Sequence, residues 1–390
     1  VPSLELVEQW EADVHLFYPD ITIIKCGSPY RGHKELLKSL TQARFPEQVV
    51  VISTYDSAQG DFYMAKWRQA KPEQFAMICD EVHNMGAPKS QCLMELNPAY
   101  RIGLSATPRR NFDEIGSEKI LNFYHQNTFE FSIKDAQREH YLVEYQYRVL
   151  PCAMPEEDWE SYKAYSKEIV QLQHALEQED DEKDRLRLQQ RIEGRYRDRA
   201  KLLKKNDQKV QTLQTIFDEI PPSARVLIYG DDLNHLNELG KELDRMGKYY
   251  FKYTGELDAQ KERPTILKEF RQGIRKILLA VGCLDEGIDI PACDVAVFIS
   301  SSTSERQFIQ RRGRVLRIAP GKMTAWIYDY LVYPILPASA SDEERRMALS
   351  MIDAQYRRIN LMVDDAINGI REHQKLDQFL SQRKLNPYDF

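Results

Sequence analysis

The sequence predicts an α/β protein with two parallel-sheet domains in tandem, a helical insertion between them and a helical C-terminal tail. Three observations predict this. Short apolar runs that end in polar residues alternate with amphipathic helices over 1–148. The same alternation returns over 219–337. Between the two, Glu156 to Ile216 is charged and free of proline, with Gly194 as its one glycine. A chain of 390 residues, 42% of them hydrophobic, is long enough for roughly two to three such domains.

In order, Ser3–Leu16 reads as a helix. Val49–Ser53, Ala76–Cys79 and Ile102–Ser105 read as short buried strands, which places ligands at their carboxyl ends. The insertion, 149–218, carries Leu172, Leu176, Leu186, Ile192 and Leu202-Leu203 at helical spacing, so a helical hairpin is expected. Pro221-Pro222 marks the entry to the second domain, whose strands are expected at Val226–Tyr229, Ile277–Val281, Val295–Ser300 and Ala325–Tyr328. The tail, 338–390, has apolar positions at Met347, Leu349, Ile352, Ile359, Leu361, Val363 and Ile367. They suit packing on the second domain, or docking of a protein partner.

Composition excludes several classes. A net charge of −6 argues against a histone-like nucleic-acid coat and leaves open a motor whose cations line one cleft. The six cysteines, at 26, 79, 92, 152, 283 and 293, form no CxxC pair, which argues against a zinc ribbon and for a reducing intracellular compartment. No run approaches the ~20 apolar residues of a membrane span, and no signal peptide is visible. The chain opens on Val1 rather than Met, so sequence is expected upstream.

Two stretches carry chemistry. Asp80-Glu81-Val82-His83 closes the apolar run Phe75–Cys79. An aspartate at a strand end can hold Mg²⁺ through water while a neighbouring carboxylate orients or deprotonates an attacking water. Acids are also common in ordinary strand-end turns. Leu104-Ser105-Ala106-Thr107-Pro108 follows the next expected strand and sets two hydroxyls beside the acidic pair. Far downstream, Gln310-Arg311-Arg312-Gly313-Arg314-Val315-Leu316-Arg317 places Gln310, Arg314 and Arg317 on one face if it is helical. A guanidinium that reaches a γ-phosphate is the arginine-finger arrangement. A solvated basic helix, or a plain nucleic-acid patch, has the same composition.

Taken in order, Val1-Pro2-Ser3…Gln9-Trp10, Ser53–Ala58, Asp80–His83, Leu104–Thr107, Thr254-Gly255-Glu256, Leu284–Pro291 and Gln310–Arg317 resemble motifs Ia to VI of the superfamily 2 DExH helicases. The nearest branch is similar to the XPB-like DNA helicases, and the resemblance runs from residue 1 to about 335. It implies two RecA-like domains, the first incomplete, with ATP between them and DNA across the top. It implies that Asp80 holds Mg²⁺ and Glu81 activates water. His83, Ser105 and Thr107, with Gly287 and Asp289, would couple nucleotide to DNA. Gln310 would face the γ-phosphate, and Arg314 and Arg317 would act as fingers. Pro2, Ser3, Thr54, Thr254 and Gly255 would touch the DNA backbone. The insertion lies where XPB-like proteins carry a thumb-like element, and its run Arg195, Arg197, Arg199, Lys201, Lys204, Lys205 suits either DNA or solvent.

Three departures from the family pattern stand out. The Gly-x4-Gly-Lys-Ser/Thr phosphate loop is absent: Gly27-x4-Gly32 continues as His33-Lys34-Glu35, and Gly321-Lys322 lies in the wrong domain. These 390 residues alone are therefore expected to hydrolyse ATP barely at all. The Arg-Glu-Asp triplet of XPB-like proteins is replaced by Arg109-Arg110-Asn111-Phe112-Asp113. The small hydroxyl residues usual before motif V are Val281-Gly282-Cys283. The function expected is an ATP-dependent DNA helicase or translocase acting in repair, restriction or phage defence. It would work in the cytoplasm of a prokaryote or phage host, or in a nucleus. The alternatives are a subunit whose phosphate loop sits on another chain and a non-catalytic remnant that binds DNA or a partner.

Overall fold

The computed structural model describes residues 1–28, 30, 48–110, 113–257, 262–281, 293–300 and 305–386. The chain divides into two compact units, Val1–Glu130 and Phe131–Phe390.

The first unit opens with α1 (Leu4–Phe17), capped by Ser3, whose hydroxyl accepts from the Leu6 amide. Strands β1 (Thr22–Cys26) and β2 (Val49–Ser53) pair in parallel. Short helices α2 (Tyr55–Ala58) and α3 (Asp61–Trp67) follow. β3 (Ala76–Cys79) and β4 (Tyr100–Gly103) form a second parallel pair, and α4 (Glu114–Phe123) packs beside them. Val82, Met85, Leu93, Ile120 and Phe123 make a core against Cys79.

The strands at 49–53 and 76–79 fall where the apolar runs predict, and the one expected at 102–105 lies two residues earlier, at 100–103, but they are not buried strands. The register pairs Ile78 with Ile102 on one face, and these side chains are 52% and 50% exposed. Tyr100 and Leu104, two residues either side of Ile102, are exposed on the same face. Among the described residues the β3–β4 pair is covered on one face, whereas a parallel sheet normally carries layers on both. That is why apolar composition overstated burial here.

The second unit is built on six parallel strands in the order β5-β10-β9-β6-β8-β7. It opens with α5 (Ile133–Arg138), then β5 (Glu144–Met154). Two long antiparallel helices follow, α6 (Glu156–Gln178) and α7 (Glu182–Lys204), then short α8 (Asp207–Gln211) and α9 (Leu213–Glu219). The sheet continues with β6 (Val226–Tyr229), α10 (Leu233–Arg245), β7 (Phe251–Tyr253), α11 (Glu262–Arg271), β8 (Ile277–Ala280) and β9 (Val295–Val297). Helix α12 (Glu305–Val315), β10 (Thr324–Pro334), α13 (Asp342–Val363) and α14 (Gly369–Ser381) complete it. Every residue of β6, β8 and β9 is buried, as expected of central strands with helices on both faces. On one face Leu236, Leu239 and Leu243 of α10 pack at helical spacing. On the other lie Phe270 of α11 and Met351, Ile352, Ile359 and Met362 of α13.

One boundary differs from expectation. The first domain ends at Glu130 rather than 148, because β5 pairs with β10 residue for residue from Glu144↔Thr324 to Met154↔Pro334. The tail packs on the second domain, one of the two readings its apolar positions allowed. Arg358 of α13 pairs with Asp329 of β10, and the Gln355 side chain bonds both the N–H and C=O of Val332. The outer edge of β5 is closed by the turn after α13. There the Ile367 amide donates to Tyr145 O, and the Asn368 side-chain amide pairs with both backbone groups of Tyr147. Leu361 and Ile367, expected in the tail's apolar stripe, face outward. No helix among the described residues is long and apolar enough to cross a membrane.

Candidate active site and nucleic-acid contacts

In the first unit the sequence-predicted acids converge at the carboxyl end of β3. Leu104 N–H donates to Cys79 O and Val82 N–H to Leu104 O, so the two strand ends are stitched together. Glu81 sits in the left-handed region at φ 47°, a conformation uncommon for a non-glycine residue. That turn points Asp80 and Glu81 to different partners. Asp80 Oδ1 accepts from the Glu81 amide at 2.9 Å, and Oδ2 accepts from the Trp10 indole at 3.0 Å. The Tyr55 hydroxyl donates to Asp80 O at 2.7 Å, and burial pushes the Tyr55 phenol far above its ordinary range, so it stays a donor. Glu81 Oε2 lies 3.3 Å from His83 Nδ1, and the same nitrogen lies 3.3 Å from Ser105 Oγ. Ser105 Oγ in turn accepts from the Thr107 amide at 3.2 Å. Motif II and motif III are thus physically joined through one imidazole. Arg110 braces the back of this cluster: its Nη1 donates to His83 O at 2.7 Å, and its Nε pairs with Asp113 at 2.6 Å. The Gly116 amide, then Arg110, hold the Asp113 carboxyl below its ordinary range.

The acids fit a magnesium ion in one respect. Each Asp80 oxygen has one protein donor and keeps a lone pair for a metal-bound water. Glu81 Oε2 is turned toward His83, whereas Asp80 is not. No group of three or more His, Cys, Asp or Glu converges among the described residues.

The positions expected to touch DNA are mostly caps and strand ends. Thr54 is 8% exposed, and its hydroxyl caps α2 by accepting from the Ser57 amide. Pro2 and Ser3 are half-buried at the start of α1. In the second unit Thr254 follows β7 and is buried, while Gly255 is exposed, with its carbonyl accepting from Arg263 at 2.7 Å. Gly287 and Asp289, with the rest of motif V, lie outside the described residues.

The arginine motif is helical only in part. Gln310 and Arg314 lie on α12 at i, i+4 and share a face. Arg317 does not join them. The helix ends at Val315, and Arg317 forms an antiparallel bridge with Leu142, with Val143 N–H donating to Leu316 O. Chain pairing with the start of β5, a contact no local pattern reveals, ends the helix one turn early. The intervening arginines are structural. Arg311 lies over the Tyr229 ring at 4.6 Å and donates to Ser300 O, while Arg312 is 5% exposed and bonds Leu361 O and Asp365.

Sequence reasoning missed Trp10, Tyr55 and Arg110 as site residues. Trp10 and Tyr55 lie within the motif Ia and Ib stretches, but an indole or phenol shows its partner only in the fold. The arginine-rich stretch after motif III marked Arg110 as a departure without showing that it grips His83.

Comparison with known proteins agrees with this reading. Residues 1–110 match the family described as type III restriction enzyme, res subunit, and 208–319 match the helicase conserved C-terminal domain. A DNA 3'-5' translocase XPB2 of Sulfurisphaera tokodaii is 23% identical over 332 residues, covering 81% of this chain and 68% of the relative. A putative DNA 3'-5' helicase Rad25 of Haloarcula marismortui is 25% identical over 324 residues, and the chain spans only 43% of its length. Among solved structures, the ATP-dependent type ISP restriction-modification enzyme LlaBIII bound to DNA aligns with TM-score 0.57 at 17% identity, covering 93% of this chain and 26% of that one. That likeness shows the RecA-like α/β fold. These matches support a superfamily 2 helicase similar to the XPB-like proteins.

Proposed function

We propose that the protein is an ATP-driven motor on DNA, a helicase or translocase serving repair, restriction or phage defence in the compartment that holds the DNA. One observation carries this most directly: the Glu81–His83–Ser105 relay, joining a strand-end acid pair to the next strand. Asp80, fixed by Trp10 and by its own turn, would hold Mg²⁺ through water. When bound there, Mg²⁺ would supply positive charge to offset that of the nucleotide phosphates. Glu81 would accept the proton of the attacking water, and the change in its charge would reach Ser105 through His83. Arg314 would serve as the finger on the transferred phosphoryl group, with Gln310 beside it on α12. Thr254 and Gly255, with the α1 and α2 N-termini, would hold the DNA backbone without reading sequence.

The phosphate loop needed for turnover is not among these 390 residues. An upstream segment or another polypeptide would supply it. The open apolar face around Ile78 and Ile102 supports a further layer packing there.

The test is ATP turnover by the full-length protein with and without DNA. Glu81→Gln should lower DNA-stimulated turnover by about 10²–10⁴-fold, the usual worth of a general base, while DNA binding is retained. Arg314→Ala should lower it by about 10³-fold or more. Full DNA-stimulated turnover in Arg314→Ala would remove the finger assignment. DNA affinity that ignores ATP, with no turnover in the wild type, would favour the remnant reading.

A further inference from the structure

We infer that Asp365, in the motif-free C-terminal region, is a positioning residue for the helix that carries Gln310 and Arg314; the inference rests on the motor reading above. Arg312 stands two residues from each of them, about 200° round an α-helix, so it leaves α12 from the opposite face. Its side chain is 5% exposed. One nitrogen, Nη1, donates to Leu361 O at 2.7 Å, to Asp365 Oδ2 at 3.0 Å and to the Tyr145 hydroxyl at 3.3 Å. Leu361 lies in the last turn of α13, where carbonyls lack helical partners and the dipole is negative. A guanidinium there satisfies the helix end and the carboxylate together.

The anchor is itself fixed to the sheet. α13 is held on β10 by the Arg358–Asp329 pair and by Gln355. At the same C-terminal end of α12, Lys322 donates to Val315 O and, just past the helix, to Arg317 O. The helix is therefore pinned from behind and below, with its Gln310–Arg314 face on the far side. Asp365 is the more open of the two charged members of the anchor. Its side chain is 20% exposed and borders a cavity of about 710 Å³, lined also by Lys134, Lys322, Ile318 and Met323. Lys134 is the other cation near it, at 3.9 Å. Of these two cations Arg312, at 3.0 Å, is the nearer to the carboxylate. Loss of the carboxylate should leave the sheet intact and let α12 shift, and shifts of this kind are costly because the reacting groups need close alignment.

The experiment uses the full-length protein with Asp365→Ala, and Asp365→Glu as the conservative rescue. Two quantities are read: amide hydrogen exchange across 308–316, and kcat and KM for ATP at saturating DNA. For Asp365→Ala we expect faster exchange confined to that segment, kcat down by about tenfold and KM within about twofold, with Asp365→Glu restoring most of both. Wild-type kcat in Asp365→Ala would overturn the inference. So would exchange that rises equally in β6, β8 and β9, since the carboxylate would then serve the fold in general. Absence of DNA-stimulated turnover in the wild type would sink the motor reading instead. In that case unchanged exchange across 308–316 in Asp365→Ala would still refute the positioning role, and locally faster exchange would support it.

Discussion

Replacing Arg358 with Met tests whether the C-terminal helices are part of the second unit's fold. Asp329 is 0% exposed. Its Oδ2 accepts from Arg358 Nε at 3.0 Å and from the Tyr147 hydroxyl at 2.8 Å, and its Oδ1 from Arg358 Nη2 at 3.2 Å and the Tyr330 amide at 2.7 Å. Arg358 Nη2 also bonds Tyr330 O. Breaking a buried ion pair from one side typically costs about 3–5 kcal/mol, because a charge is left behind. Met retains the stem volume, and two donors to Asp329 remain, so the lower end, about 3 kcal/mol, is expected. For a unit this large, about 2–4 °C per kcal/mol gives a drop of roughly 6–12 °C in Tm. The assay is urea unfolding of the full chain with Trp10 and Trp67 replaced by Phe, so that Trp159 and Trp326 report on the second unit. The midpoint should fall with the slope unchanged. Asp329→Asn combined with Arg358→Met should cost less than Arg358→Met alone, since no charge is then stranded. A loss below about 1 kcal/mol, or a double variant as unstable as the sum of the singles, would refute the reasoning.

Two further expectations use the same assay. His235 is 1% exposed and flanked by Lys209, Asp231, Lys205, Asp232 and Ser300; burial, then Lys209, lowers its pKa from 6.5 to about 4. Between those values the unfolded chain binds the proton and the folded chain does not, so stability is complete above pH 6.5 and is lost as pH falls toward 4, by up to about 3 kcal/mol. His235→Gln should flatten the second unit's pH dependence by up to one proton across that window, and an unchanged slope would contradict the assignment. Gly194 lies inside α7, and an added Cβ would meet nothing within 4 Å. Gly194→Ala should therefore stabilise by about 0.5–1 kcal/mol, and a loss of stability would show that this helix face is not open.

Legibility in the sequence followed the range of the interactions. Val226–Tyr229 is a strand with the predicted ends, because a fully buried central strand writes its environment into four successive apolar residues. β5 was not read as a strand at all. Its Tyr145, Tyr147 and Val149 alternate with polar residues, but the strand that pairs with it lies some 180 residues downstream, and nothing local assigns it to one domain or the other. The acid pair and its histidine were legible as residues. The turn at Glu81 that sends the two carboxylates apart was not, since a positive φ at a non-glycine is imposed by the surrounding contacts. The face shared by Gln310 and Arg314 follows from helical spacing, whereas the exclusion of Arg317 follows from its bridge to Leu142.

The basic run in the helical insertion shows what composition alone leaves open. By composition the six cations between Arg195 and Lys205 suit either DNA or solvent, and in the fold four are committed within the second unit. Arg195 pairs with Glu168 and Asp198, and Arg199 bonds Ser166 and lies over Tyr162. Lys204 pairs with Asp231 and Lys205 with Asp232, tying the base of the hairpin to the loop after β6. Just beyond, Asn206 bonds Ala153 O and the buried Lys209 bonds Ile299 O. Arg197 and Lys201 remain exposed, on the same helix face as Gly194. A hairpin braced at its root by two ion pairs and two buried side chains transmits displacement as a rigid arm. Any grip on a phosphate backbone must therefore rest on that narrow strip of α7 rather than on the whole run.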